Sequence, residues 1–219
     1  MNRSELIQDL VSRILAVERP HPVRVGIDGV DAAGKTTLAD EIAPLLEDAG
    51  RQAIRASIDC FHNDSAVRYR RGRESPEGYY FDSFDHATLS ERLLQPLGPR
   101  GTRRFQRAAF DYRNDTPIDA PLEIAEPDAV LVFDGIFLHR PELRSHWDFS
   151  VFLEVDFAVT IPRAMRRDDA TSESEVRRIY DIRYVPGQRL YLSAVRPKAR
   201  ASLVIDNAEP ANPTIWRAV

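Results

Sequence analysis

Short, almost wholly apolar runs alternate along this chain with longer stretches in which apolar positions recur every three or four residues. The short runs are Val23-Arg24-Val25-Gly26-Ile27, Ala53-Ile54-Arg55-Ala56-Ser57-Ile58, Ala129-Val130-Leu131-Val132-Phe133, Phe149-Ser150-Val151-Phe152-Leu153-Glu154-Val155 and Leu203-Val204-Ile205. Their length and β-branched content predict buried strands. Helical spacing appears first at Leu6, Leu10, Ile14 and Val17, with Ser4 as a candidate cap. It returns over residues 35–48, closed by Gly50, over 89–94 up to Pro96, and over 161–169 and 174–182. Residues 60–78 are polar, arginine-rich and irregular, and 104–112 read as mixed strand or loop. Strands alternating with helices predict an α/β fold with a parallel sheet and crossover helices. Ligands of such sheets gather beyond the carboxyl ends of the strands. Gly29, Asp59, Asp134 and Asn207 all fall at such ends.

One of these ends carries a phosphate-binding pattern. Gly29-Val30-Asp31-Ala32-Ala33-Gly34-Lys35-Thr36 reads G-x-x-x-x-G-K-T between a strand and a helix, the context that turns the string into a mechanism. Loop amides and the helix N-terminus then face the phosphates of a nucleotide. This makes Gly29, Asp31, Ala32, Ala33, Gly34, Lys35, Thr36 and Thr37 the candidate ATP and phosphate site. Lys35 is expected to reach the β- and γ-phosphates, and the Thr36 hydroxyl to hold Mg²⁺. Composition sharpens the point. Lys and Arg number 30, yet the only lysines are Lys35 and Lys198. A P-loop needs a compact ammonium on a flexible stem, which the planar guanidinium does not supply. A lysine kept there in so lysine-poor a chain indicates a chemical requirement.

The remaining bounds are mild. The 219 residues suffice for a single domain with a sizeable core, and 43% hydrophobic and 29% charged residues are ordinary for a globular protein. Within it, residues 1–20 read as an N-terminal helix, about 60–115 as an acceptor-binding insertion and about 161–184 as a lid. The net charge of −4 gives no support to nucleic-acid binding. Cys60 is the only cysteine, which excludes an internal disulfide and fits a reducing cytoplasm. No apolar run approaches membrane-spanning length, and Arg3, Glu5 and Asp9 interrupt the first apolar stripe, unlike a signal peptide.

Several further groups carry chemistry. Asp134 follows four apolar residues of a strand, as does the acid that orients Mg²⁺ in P-loop enzymes; otherwise it caps the next turn. Asp59 ends the strand after the P-loop helix and could take the proton of an attacking hydroxyl; otherwise it caps a turn. The segment Glu77-Gly78-Tyr79-Tyr80-Phe81-Asp82-Ser83-Phe84-Asp85 joins aromatics to carboxylates. Rings there could stack on a planar group and carboxylates could bind sugar hydroxyls, with Phe84 weighted toward packing. Arg163, Arg166 and Arg167, then Arg177, Arg178 and Arg183, suit a lid that stabilises charge on a transferring phosphoryl group; the alternative is a solvated helical face. The five histidines show no zinc-like spacing, and His62 lies near Asp59.

The chain resembles the uridine-kinase-like P-loop kinases, a group with the nucleoside, pantothenate and phosphoribulose kinases. The likeness runs from about Val23 to Asn207 through G-V-D-A-A-G-K-T-T, S-I-D-C-F-H, F-D-S-F-D, A-F-D-Y, V-L-V-F-D-G-I-F, R-A-M-R-R-D and V-I-D-N. It implies a P-loop NTPase fold and a kinase using ATP and Mg²⁺. It implies Asp59 as the acceptor-activating carboxylate, Asp82 or its neighbours at the sugar, and Asp134 near the metal. Arg163 and Arg167 match lid arginines, and Asn207 lies near adenine. The full set of candidate acceptor contacts is Asp59, Phe61, His62, Tyr80, Asp82, Phe110, Tyr112 and Arg183. Two departures stand out. Phe110-Asp111-Tyr112 is followed by Arg113-Asn114-Asp115, where the family usually has a histidine a few residues on. Tyr79 and Tyr80 replace a more acidic, histidine-containing segment. Both bear on pyrimidine recognition and leave the kinase core intact.

The expected activity is transfer of the γ-phosphate of ATP to a hydroxyl of a small metabolite, with a nucleoside leading and a pantothenate- or sugar-type acceptor as the alternative. A guanine-specific switch would carry Asn/Thr-Lys-x-Asp, which lysines at 35 and 198 alone do not supply. A regulatory protein that has lost catalysis is the other alternative, and retention of Lys35, Thr36, Asp59 and Asp134 argues against it.

Overall fold

The structure, a computed structural model, describes residues 1–167 and 172–218. Its centre is a six-stranded sheet. In chain order the strands are β1 (Val23–Gly29), β2 (Ala53–Ser57), β3 (Val130–Asp134), β4 (Phe149–Glu154), β5 (Leu203–Asp206) and β6 (Thr214–Ala218). Across the sheet they run β6-β5-β4-β1-β3-β2. The first five are parallel, and β6 lies antiparallel on β5. The sheet is therefore not wholly parallel, and Leu203–Asp206 is not the last strand. Thr214–Ala218 escapes a reading of periodicity because it is short, follows Pro213 and mixes polar with apolar residues.

Side chains on a strand alternate between faces, so each face meets its own core. Val23, Val25, Ile27, Val130 and Val132 pack on one face with Leu6, Leu10 and Ile14 of α1 (Arg3–Leu15) and Leu38, Ile42 and Leu46 of α2 (Lys35–Asp48). Burying each such side chain contributes roughly 1.5–3 kcal/mol. Helix α1 is capped by Asn2, not Ser4: the Asn2 side chain accepts from Glu5 N at 2.9 Å while Glu5 reaches back to Asn2 N. On the other face Leu131 and Phe133 pack with Phe61, Phe84, Leu89, Leu93 and Phe105 from the segment after β2. That segment holds α3 (Pro76–Asp82), the turns Ser65–Arg68 and His86–Leu89, and two small hairpins.

The same second face of β1 carries Arg24, Gly26 and Asp28, which the sheet buries with partners. Arg24 Nε donates to Asp148 at 3.0 Å. Asp28 Oδ2 meets His139 Nδ1 at 2.6 Å and accepts from Tyr191 Oη. His139 Nε2 contacts Ser150 Oγ at 3.0 Å, so the network ties β1 to β4. Past β4 come α4 (Phe157–Arg167), α5 (Glu173–Ile179), a wide turn at Tyr180–Tyr184 and α6 (Val185–Val195). Ala164, Val176, Tyr180 and Val185 form a third, small apolar cluster with Ala32 of the loop after β1 packed against it.

Candidate active site

The register of the sheet assembles the site. Ile27 of β1 and Ser57 of β2 both lie opposite Asp134, so the carboxyl ends of three parallel strands meet at one acid. From there the chain enters the loop of residues 29–34 and then α2. Gly29 has φ +155°, and a Cβ on it would meet Leu153 O at 2.8 Å. Gly34 caps α2 with φ +94°, where a Cβ would meet Asn207 Nδ2 at 2.7 Å. Both positions require glycine, the second because its conformation is left-handed as well as crowded. The helix has no acidic residue in its first turn, so nothing on it competes with an incoming anion for the N-terminal amides.

Asp31, Ala32, Gly34, Lys35, Thr36 and Thr37 line one end of a cleft of about 870 Å³ that also holds Asp59, His62, Phe84, Tyr112 and Asp134. Lys35 is buried and its Nζ donates to Val30 O at 2.8 Å. The Thr36 hydroxyl donates to Asp134 Oδ2 at 2.6 Å, and Arg55 contacts Asp134 Oδ1 at 3.1 Å. A hydroxyl beside a carboxylate is a hard-oxygen set of the kind that holds Mg²⁺ together with phosphates and water. Among the described residues no cluster of three or more His, Cys, Asp or Glu could hold a metal ion.

The lining contributed by the segment after β2 has a different character. Strand β2 ends at Ser57, two residues earlier than the sequence pattern implies, and Asp59 sits exposed in a 3₁₀ turn over Ile58–Phe61. The His62 ring lies 4.5 Å from that of Phe84 and 4.8 Å from that of Tyr112. Burial lowers the His62 pKa to about 4, so the imidazole is neutral. Cys60 beside it is half-buried, and burial pushes its thiol up, as in an inert filler.

Several candidate contacts sit elsewhere. Asp82 is buried away from the cleft lining and binds Arg70 and Arg71. Burial opposes its ionisation, but hydrogen bonds from the two arginines outweigh it and hold the carboxyl below its usual range. Tyr80 packs on Phe137 and beneath the Arg140 guanidinium. Phe61 is wholly buried against Phe133, and Phe110 is buried in a hairpin strand. Arg183 is buried, donates to Arg73 O and stacks on Tyr69, pinning the stretch over residues 69–73, and is not part of the cleft lining. Arg163 does line the cleft, but at the Asn207 end, donating to Ala208 O at 2.7 Å. Asn207 itself donates to Ala33 O at 2.7 Å and accepts from Arg3 at 3.1 Å, joining β5 and α1 to the phosphate loop. The Arg167 side chain lies outside the described residues.

Other lining residues have no site role in the sequence reading. Ser57, Tyr79, Arg113, Ile136, Tyr180 and Tyr184 reach the cleft from separate elements. Tyr180 Oη donates to the Asp31 carboxylate, and Asp31 N donates to Gln188 Oε1 at 2.6 Å. The segment after α4 thus rests on the phosphate loop. The spacing of Tyr180 and Tyr184, one helical turn apart next to the arginine-rich run, is the only local signal for them.

Comparison with known proteins agrees with this geometry. A curated uridine kinase of Leuconostoc citreum is 25% identical over 185 residues, covering 84% of this chain and 86% of the relative. One of Alkaliphilus metalliredigens is 28% identical over 192 residues, covering 87% and 85%. The solved structure of a possible uridine kinase from Bacillus stearothermophilus superposes with a TM-score of 0.73 at 25% identity, over 92% of this chain and 97% of that one. Among the described residues no helix is long and apolar enough to cross a membrane. The family model described as Phosphoribulokinase / Uridine kinase family matches residues 24–208, from the buried arginine of β1 to the residue after Asn207, and the chain belongs to that family.

Proposed function

We propose that this protein is an ATP-dependent kinase that transfers the γ-phosphate to a hydroxyl of a small metabolite. The observation that carries the reading is the Thr36–Asp134 hydrogen bond beside a buried Lys35, in a cleft that Asp59 also lines. The loop amides and the α2 N-terminus bind the phosphates. Lys35 exchanges its Val30 carbonyl for the β- and γ-phosphate oxygens. Thr36 and Asp134 would hold Mg²⁺, which would supply positive charge to offset that of the phosphates. Asp59 accepts the proton of the acceptor hydroxyl as its oxygen bonds to the γ-phosphorus and the bond to the ADP oxygen breaks. Asn207, Arg3 and Arg163 frame the end of the cleft where the adenosine moiety lies. The segment over residues 161–184 is the lid, with Arg163 and Arg167 as its functional arginines, and it excludes water that would otherwise hydrolyse ATP.

Relatives named uridine kinase put nucleosides first on any panel of acceptors. The test is ADP release at fixed ATP and Mg²⁺ over a panel of nucleosides, sugars and hydroxy acids. The reading expects at least one acceptor to raise ADP release well above the rate without acceptor, and Lys35→Ala to abolish the increase. Acceptor-independent turnover throughout would point to a nucleotide switch instead.

A further inference from the structure

We infer that the acceptor is a compact polyol without a planar base, because the chain's own His62 already covers the two cleft aromatics, Phe84 and Tyr112, on which a base could stack. The inference rests on the kinase reading above and narrows its acceptor. Phe84 and Tyr112 both line the cleft, and each lies against the His62 ring, at 4.5 and 4.8 Å between centroids with planes tilted by 53° and 30°. A ring stacks on an aromatic neighbour at such separations. A nucleobase stacking on either ring where His62 now lies must therefore displace the imidazole.

The imidazole is held. His62 pairs with Phe84 in an antiparallel bridge, flanked by Asn63 N donating to Ser83 O at 2.9 Å and Asp85 N donating to Phe61 O at 2.8 Å. Its Nδ1–H donates to Asp59 O at 2.9 Å, since a carbonyl only accepts. Burial keeps the ring neutral, so Nε2 carries a lone pair and seeks a donor. A hydroxyl of a compact polyol supplies one while the imidazole stays seated on the two rings. The same ring hangs from the turn that carries Asp59, so a hydroxyl bound at Nε2 belongs to a molecule whose neighbouring hydroxyl can meet the Asp59 carboxylate.

Specificity constants at saturating ATP test this, with uridine, cytidine and adenosine set against D-ribose, D-ribonate and D-glycerate. They are measured on the full chain, on His62→Ala and on the milder His62→Asn, with ATP affinity reporting that each variant is folded. For the wild type the best polyol is expected to exceed the best nucleoside at least tenfold in kcat/KM. Uncovering the two rings in His62→Ala should move the ratio toward nucleosides at least tenfold. Nucleoside turnover by His62→Ala alone, with a silent wild type, also upholds the inference. Parity or a nucleoside preference in the wild type, or an unmoved ratio in both folded variants, overturns the inference while leaving the kinase intact. No acceptor-dependent turnover in any of the three proteins overturns the kinase reading beneath it.

Discussion

The Thr36 hydroxyl donates to the Asp134 carboxylate at 2.6 Å, closing the first turn of α2 onto the end of β3. The contact joins residues 98 positions apart, and it exists because the parallel register sets Asp134 opposite Ile27, just before the phosphate loop. Asp134→Asn keeps the shape and removes the charge. It is expected to raise the Mg²⁺ concentration for half-maximal turnover at least tenfold and to lower kcat by about 10²-fold, in keeping with loss of one strong electrostatic contact. A Mg²⁺ titration of ADP release checks this.

Asp59 lines the same cleft as Thr36 and Asp134 and is the proposed base for the acceptor hydroxyl. Asp59→Asn should retain ATP binding, measured by calorimetry, while transfer to the acceptor falls roughly 10²-fold or more. Wild-type transfer by the variant would make Asp59 a turn residue.

Tyr180 links the segment after α4 to the phosphate loop through Asp31. Tyr180→Phe deletes one hydroxyl, and the lid is expected to loosen: hydrogen exchange in residues 172–184 should speed up in the nucleotide complex. Arg167→Ala is expected to slow transfer far more than it weakens ATP binding, because its contact matters most in the transition state. Unchanged exchange together with a silent Arg167→Ala would mean a static helix instead of a lid.

His139 and Asp28 are buried at 3% and 0% side-chain exposure and meet at 2.6 Å. His139→Ala leaves the carboxylate and the Ser150 hydroxyl short of a partner in the core. Removing one member of such a pair costs about 3 kcal/mol or more. Urea unfolding should show that loss, and His139→Gln, which keeps a donor, should recover part of it.

Acid should weaken the fold in a defined window. Burial lowers His62 and His86 to about 4, against 6.5 for an unperturbed histidine. Between those values the unfolded chain binds protons that the folded one does not. The stability these neutral rings contribute is therefore complete above about pH 6.5 and is lost as pH falls toward 4, by at most about 3 kcal/mol each. Glu142, held down to about 2 chiefly by its Arg140 hydrogen bond, adds a loss at still lower pH. Thermal midpoints from pH 7 to 4 should fall, and His86→Gln should flatten the slope.

What could be read from the chain follows from how local each feature is. The phosphate loop, Lys35 and Thr36 are contiguous, and Asp134 ends an unmistakable strand, so sequence alone brings them to one place. Asp59, His62, Tyr112 and Asn207 were also legible as cleft residues, from strand ends and family likeness. Asp82 was not, because its direction is decided by Arg70 and Arg71 on a neighbouring turn. Tyr180 and Arg113 reach the cleft only through tertiary packing. Helix α6 has no clear sequence signal, since Pro186 and Gly187 near its start weigh against a helix, although proline at the first turn is well tolerated. The buried Asp28–His139 pair has no sequence signature at all, since its partners are 111 residues apart.

The central claim is that a phosphoryl group leaves ATP for a hydroxyl held beside Asp59. The most direct measurement incubates the protein with ATP labelled in its γ-phosphate, Mg²⁺ and the acceptor that best stimulates ADP release, and follows the label. The account expects the label in a phosphate ester of the acceptor, one per ADP formed, with Lys35→Ala forming none. Label recovered only as free phosphate, or an ester formed equally well by Lys35→Ala, would contradict it.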